Sequence, residues 1–218
     1  MNGAIARSLT RDADGAKFPV LRWLAVVWLL VYVPAYASAY GWANFLFLCN
    51  AGVILTALAL IGGHRLLLSS QAIAAPVIAV AWALDAGWKL VTGDFLYGAT
   101  AYMWDPANPL FARLLSLYHL AWPVLLYFVL RRIGYDRRGW PLQAAIAAIF
   151  LVLARLFTPA AANVNFAFVA PFVDRPLGSA AQHLLLCWAT LAGAGYGLTH
   201  LLCRRLFPAA VARKPPLP

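Results

Sequence analysis

Two residues of this chain have the types that nucleophilic acyl chemistry requires: the thiol of Cys49 and the imidazole of His119. A thiol is only a few per cent thiolate at neutral pH, so one that attacks a carbonyl needs a base to take its proton. Other polar residues accompany them at helical spacing. Arg113, Ser116 and His119 follow one another at i,i+3 and share a face; Asp85 and Lys89 are i,i+4, as are His183 and Cys187. Asn50 adjoins Cys49, Arg155 lies near the end of an apolar run, and Asn163 and Asn165 occupy the loop that follows it. In this pattern Cys49 is the candidate nucleophile and His119 its general base. Arg113 is a positive neighbour able to favour the thiolate, and Asn163 and Asn165 are donors to an oxyanion or a headgroup. Lys89, Arg113 and Arg155 are candidates for phosphate, and Asn50, Asp85, Ser116 and His183 complete the binding set.

Whether these residues meet depends on the elements that carry them, and composition decides what those are. Of 218 residues 64% are hydrophobic and 11% charged, with mean hydropathy +0.76. Soluble domains run near 45–50% apolar and about 25% charged, so a soluble globule and a disordered chain are both excluded. Six apolar segments approach or reach the roughly 20 residues that cross a bilayer core: Phe18–Tyr40, Trp42–Gly62, Gln71–Val91, Leu110–Leu130, Pro141–Phe157 and Ser179–Leu202. The fifth is short and is expected to continue into the loop after it. No period-2 alternation marks a membrane barrel. The expectation is an all-α polytopic bundle of about six transmembrane helices over residues 18–206, with a segment 1–17 before it and a tail 207–218 after it.

The chain has 17 Lys and Arg against 7 Asp and no Glu. That balance suits nucleic acid, but apolar runs separate the charges and a loop bias explains them better; no nucleic-acid partner is expected. With six spans, the N-terminal segment with Arg22, the loop with Arg65, the loop with Arg131, Arg132, Arg137 and Arg138, and the C-terminal tail fall on one side. They hold 13 of the 17 basic residues. The positive-inside rule then makes both termini cytoplasmic, in the cytoplasmic (inner) membrane. Ala35, Ala37 and Ala39 resemble a signal-peptidase site, but the first span reads better as an uncleaved anchor. Cys49, Cys187 and Cys203 form no CxxC pair, so neither a disulfide framework nor a zinc site is expected.

Orientation gives depth. Asn44, Cys49 and Asn50 enter from the outer side on span two, and Asp85 and Lys89 approach it on span three. Arg113, Ser116 and His119 enter on span four, Arg155 approaches on span five, and Gln182, His183 and Cys187 enter on span six. Ionisable residues inside spans are functional candidates by default. The reading is a polar pocket open to the outer leaflet, ringed by Trp82, Trp88, Trp122 and Trp188, with inner halves nearly free of polar groups. Structural alternatives stand beside it: an Asp85–Lys89 ion pair, Arg113 and Arg155 snorkelling to headgroups, Asn50 as interhelical glue and His183 as a satisfied interior histidine. His119, Asp85 and His183 also constitute a weaker candidate metal set; no metal and no cofactor is expected.

The stretch Asn44-Phe45-Leu46-Phe47-Leu48-Cys49-Asn50 resembles the second-helix motif of the bacterial YwaF-like integral membrane proteins. That motif reads roughly Leu-His-Leu-Cys-Asp; here Phe47 stands for the histidine and Asn50 for the aspartate. Ser116-Leu117-Tyr118-His119 resembles the family's serine–histidine near the outer end of a helix, and Asn163-Val164-Asn165-Phe166 its Asn-x-Asn-aromatic loop. The family looks related to eukaryotic transmembrane acyltransferases that remodel ether phospholipids, and more distantly to the androgen-induced-gene hydrolases of fatty-acid esters. The resemblance implies a lipid acyltransferase or acyl-ester hydrolase. From another class comes a non-enzymatic protein that binds a lipid or small solute in the same pocket, or an assembly partner. The expected partners are membrane lipids, with a homo-oligomer or a membrane-protein partner besides.

Overall fold

A computed structural model describes residues 18–173 and 175–207. Asp174, the segment 1–17 and the tail after Phe207, with the charges assigned to them above, lie outside the described residues. The described chain is helical, without a strand. Helix α1 spans Pro19–Tyr40, α2 Leu48–Gly62 and α3 Arg65–Thr92. Helices α4 (Leu110–Leu115) and α5 (Tyr118–Ile133) form one interrupted rod, and α6 is Gly139–Phe157. Helices α7 (Ala180–Ala189) and α8 (Tyr196–Leu206) are joined through a π-helical turn at Thr190–Gly195. Five rods are long and apolar enough to cross a membrane, and α2 is a shorter apolar sixth. The architecture is an all-α polytopic membrane bundle.

Two spans differ from expectation for local reasons. Residues 42–46 of the second form a 3-10 turn rather than continuing a helix. The α-helical part therefore has 15 residues, about 22 Å at 1.5 Å per residue. The fifth does not run on past Phe157: Pro159 forces Thr158 into extended backbone (φ −124°, ψ 150°).

Helix α3 is the central post, packed against α2, α5, α6 and α8. Its buried face is built of Ala72, Ala74, Ala75 and Ala79, small residues that let helices approach where water provides no driving force. One close approach is at Gly139, where a Cβ would sit 2.8 Å from the backbone carbon of Ser69. Helix α1 covers α2 and α4 and buries only Ala25, Tyr32 and Tyr36, leaving Val20, Trp23, Leu24 and Leu30 outward.

The half of the bundle toward the 134–138 turn is not free of polar groups, contrary to expectation. Ser69, Ser70, Gln71 and Gln143 are buried there. Gln71 Nε2 donates to Gln143 Oε1 and to Ser70 Oγ, each at 3.1 Å, and the Asp136 amide donates to Ser69 Oγ at 3.0 Å. These are neutral side chains that bond one another between helices, with Gln71 Oε1 left without a partner among the described residues; being uncharged, they give no signal among the ionisable residues. In the turn itself, burial works to raise the Asp136 carboxyl. Hydrogen bonds from Arg138 and the positive charges of Arg138 and Arg65 outweigh it and hold the group below the usual carboxylate range.

Candidate functional site

At the other end of the bundle, the C-terminus of α1, the N-terminus of α2, the second half of α3 and the N-terminus of α5 converge. Two loops, 93–109 and the described residues of 158–179, fold back between them. They enclose a cavity of about 540 Å³, within the range of ligand pockets. Cys49, Asn50 and His119 line it, with Asn44, Trp82, five tyrosines (Tyr36, Tyr40, Tyr97, Tyr102 and Tyr196) and the apolar Phe47, Val77, Ile78 and Leu191.

His119 owes its pose to a break in its helix. Pro123 lacks the amide that would bond back to residue 119, and the chain changes at Ser116–Leu117 to three-residue spacing, with amide bonds from His119 to Ser116 and from Leu120 to Leu117. The imidazole is nearly fully buried and is stacked between Trp82 (5.1 Å) and Tyr118 (4.2 Å). Its Nδ1 lies 2.7 Å from the Ser116 carbonyl. A carbonyl only accepts, so Nδ1 carries the proton and Nε2 holds a lone pair. Nε2 has no partner among the described residues.

Cys49 sits in the first turn of α2. Its thiol donates to Asn50 Oδ1 at 3.6 Å, which also accepts from Tyr32 (2.8 Å) and Tyr118 (2.9 Å). Asn50 Nδ2 donates to the Asn44 carbonyl at 2.7 Å, closing the turn that precedes the helix. Ser116 bonds Tyr36 at 2.5 Å. Cys49 and His119 thus face one cavity from two helices, but they are not hydrogen-bonded to each other. Among the described residues the cysteine in contact with a histidine is Cys187, 3.6 Å from His183 Nε2. That imidazole is fully committed: Nδ1 accepts from the Leu177 amide, so Nε2 bears the proton and donates to the Phe166 carbonyl. It has no lone pair to take a thiol proton.

The remaining candidates fasten the two loops. Asp85 and Lys89 do not pair. The buried Asp85 carboxylate accepts from the amides of Tyr97 (2.8 Å), Gly98 (3.1 Å) and Thr100 (2.8 Å) and from the Thr100 hydroxyl (2.6 Å). Lys89 instead donates to the Gly93 carbonyl at the helix end and lies over Phe95, a usual place for a C-terminal lysine. Arg113 donates to the Met103 carbonyl, and Arg155 donates to the Ala167 carbonyl while stacking on Phe168. Asn163 Oδ1 accepts from the amides of Phe168 and Val169. Asn165 joins the loop to α2, accepting from the Leu48 amide and donating to the Leu46 carbonyl, both at 2.8 Å. Asn163 and Asn165 reach the cavity wall, whereas Asp85, Lys89, Arg113, Ser116, Arg155 and His183 are not part of it.

Within the expected tryptophan ring, Trp82 alone lines the cavity. Trp88 points outward, Trp122 is buried against Thr56, and Trp188 bonds the Ala144 carbonyl. His119, Asp85 and His183 do not converge, and no group of three metal-ligating side chains occurs among the described residues.

The loops meet each other over the cavity. Tyr97 packs edge-on against Phe166 (6.0 Å) and Phe172 (5.5 Å). Burial and the charge on Asp85 push its hydroxyl up to about 12, so it remains a neutral donor. Phe166 and Phe172 have φ of 57° and 69°, a left-handed conformation that costs a bulky residue about 1–3 kcal/mol. The bond from His183 to the Phe166 carbonyl helps hold it.

The tyrosines had a signal: Tyr32, Tyr36 and Tyr40 recur every four residues and pack ring against ring along α1, the second pair edge-on. Tyr196 had less. It follows the π-turn, whose extra residue rotates the remainder of the rod so that Tyr196 faces the cavity; such turns concentrate at functional sites. No family model, no curated protein and no solved structure matches this chain.

Proposed function

We propose that this membrane protein takes a lipid acyl ester into the cavity and transfers or hydrolyses its acyl group. What supports the reading is His119: a histidine fixed as the Nδ1–H tautomer, with Nε2 free, in an apolar cavity that also holds a thiol. Nε2 takes the Cys49 proton, and the thiolate attacks the ester carbonyl. The leaving alkoxide takes the proton back, and a thioester remains on Cys49. Water or a second alcohol, deprotonated by the same nitrogen, then releases the acyl group and restores the thiol. The step requires the Cys49 side chain to turn from Asn50 toward His119. This is also the activity that the resemblance to the YwaF-like family implies.

A second reading, binding without covalent chemistry, is favoured by the thiol's bond to Asn50. An alkyne-tagged acyl β-lactone separates the two. It should label Cys49 in the wild type and nothing in Cys49→Ala, and His119→Ala should slow labelling by about 10²–10⁴-fold, the usual contribution of a general base. Labelling at the wild-type rate in His119→Ala would leave only the binding reading.

The site is proposed to face the outer leaflet of the cytoplasmic membrane, with both termini cytoplasmic. The described ends already lie together: Arg132, at the end of α5, stacks on Phe18, and Tyr127 packs on Phe207. The basic loops provide the direction. Reporter fusions at Asp105, Arg138 and the C-terminus should read outside, inside and inside; an outside signal at Arg138 would invert the assignment.

A further inference from the structure

We infer that the lipid admitted to this cavity has an uncharged polar end, as a diacylglycerol has, and is not a phospholipid or a free fatty acid. The inference rests on the proposed acyl-ester site and names its substrate class. Among the described residues, no Asp, Lys or Arg side chain is part of the cavity wall. The cations expected to hold phosphate are turned to other work: Lys89, Arg113 and Arg155 each donate to a backbone carbonyl of the loops or helix end they secure. Arg113 donates Nη1 to the Met103 carbonyl, its Nε is buried without a hydrogen-bond partner, and it is not part of the wall. The polar side chains of the wall are uncharged, and among them His119 Nε2, the Asn44 amide and the Tyr40 hydroxyl have no hydrogen-bond partner among the described residues. A phosphate or carboxylate entering here surrenders its hydration and meets no counter-charge, which is the costly way to bury an ion. An ester carbonyl or a hydroxyl surrenders far less and finds both donors and an acceptor. The wall's apolar residues, Phe47, Val77, Ile78 and Leu191, accommodate the chain.

The test is photo-crosslinking of the full-length protein in phosphatidylcholine nanodiscs. The probes are a diacylglycerol and a phosphatidic acid with the same diazirine-bearing acyl chain, at equal mole fraction. Outward residues of α1, such as Val20 and Leu30, report lipid contact common to both probes. Cavity residues 47–50 and 77–82 should be labelled at least tenfold more by the diacylglycerol after normalisation to that contact. Equal labelling, a preference for phosphatidic acid, or no cavity labelling by either probe would each overturn the inference. Asn44→Arg places a cation at the wall and should raise phosphatidic acid labelling to the diacylglycerol level; unchanged selectivity in a variant whose cavity is still labelled would also overturn it. Failure here is separable from failure of the acyl-ester reading. Diacylglycerol crosslinks without acyl labelling of Cys49 would retain the ligand class and remove the reaction. Acyl labelling together with phosphatidic acid preference would do the reverse.

Discussion

Asp85→Asn should detach the 93–109 loop from α3 while leaving the helices in place. The carboxylate accepts four hydrogen bonds from Tyr97, Gly98 and Thr100, and bonds to a charged group are worth roughly 1.5–3 kcal/mol each. Asparagine is the same size but has one accepting oxygen; its amide nitrogen would face donors where the second carboxylate oxygen sat. A local loss of about 3 kcal/mol corresponds to roughly a hundredfold rise in the opening equilibrium. Hydrogen exchange at the amides of residues 97, 98 and 100 should accelerate by that factor, with the amides of α3 and α5 near their wild-type rates. The loop forms one wall of the cavity, so crosslinking or acyl labelling inside it should fall in parallel. Unchanged exchange at Tyr97 and Thr100 would mean that the loop is held by its aromatic contacts and not by Asp85.

Asn50→Leu should be the most destabilising single replacement in the cavity wall. One side-chain oxygen serves the hydroxyls of Tyr32 and Tyr118 and the Cys49 thiol, and the amide nitrogen closes the turn at Asn44. Leucine matches the volume and satisfies none of these groups. Each buried donor left without a partner costs about 1–3 kcal/mol. The low end applies in a membrane, where the unfolded chain finds partners too. A loss of about 2–4 kcal/mol lowers Tm by roughly 5–15 °C for a chain of this size, read by thermal unfolding in detergent. Combining Asn50→Leu with Tyr32→Phe removes one stranded donor together with its acceptor, so the double variant should recover part of the loss relative to the sum of the single ones. A Tm within 2 °C of wild type, allowing about that for experimental scatter, would show that the tyrosines find other acceptors.

The amino-acid sequence determined the helices and the residues that face one end of them. Apolar runs that end at Gly41, Gly63, Gly93 and Gly134 fix where α1, α2, α3 and α5 end, because hydrocarbon leaves the backbone no partner outside a helix. Counting along those rods places Cys49 and His119 toward the same end of the bundle, and the tertiary structure has both lining one cavity. Tertiary structure alone decided what the other polar residues do. Depth and helical spacing locate a side chain along a rod but do not tell which way a following loop returns. Asp85 and Lys89 at i,i+4 therefore read as binding groups or as an ion pair, although the 93–109 loop brings four donors to the carboxylate and leaves the lysine to its own helix end. Arg113, Arg155, Asn163, Asn165 and His183 read as ligand-binding groups for the same reason, and each is bonded to loop or helix backbone. The π-turn that aims Tyr196, and the break above Pro123 that exposes His119 Nε2, are departures from the regular period on which such counting relies. Only the packed chain fixes those departures, because they answer to neighbours distant in sequence.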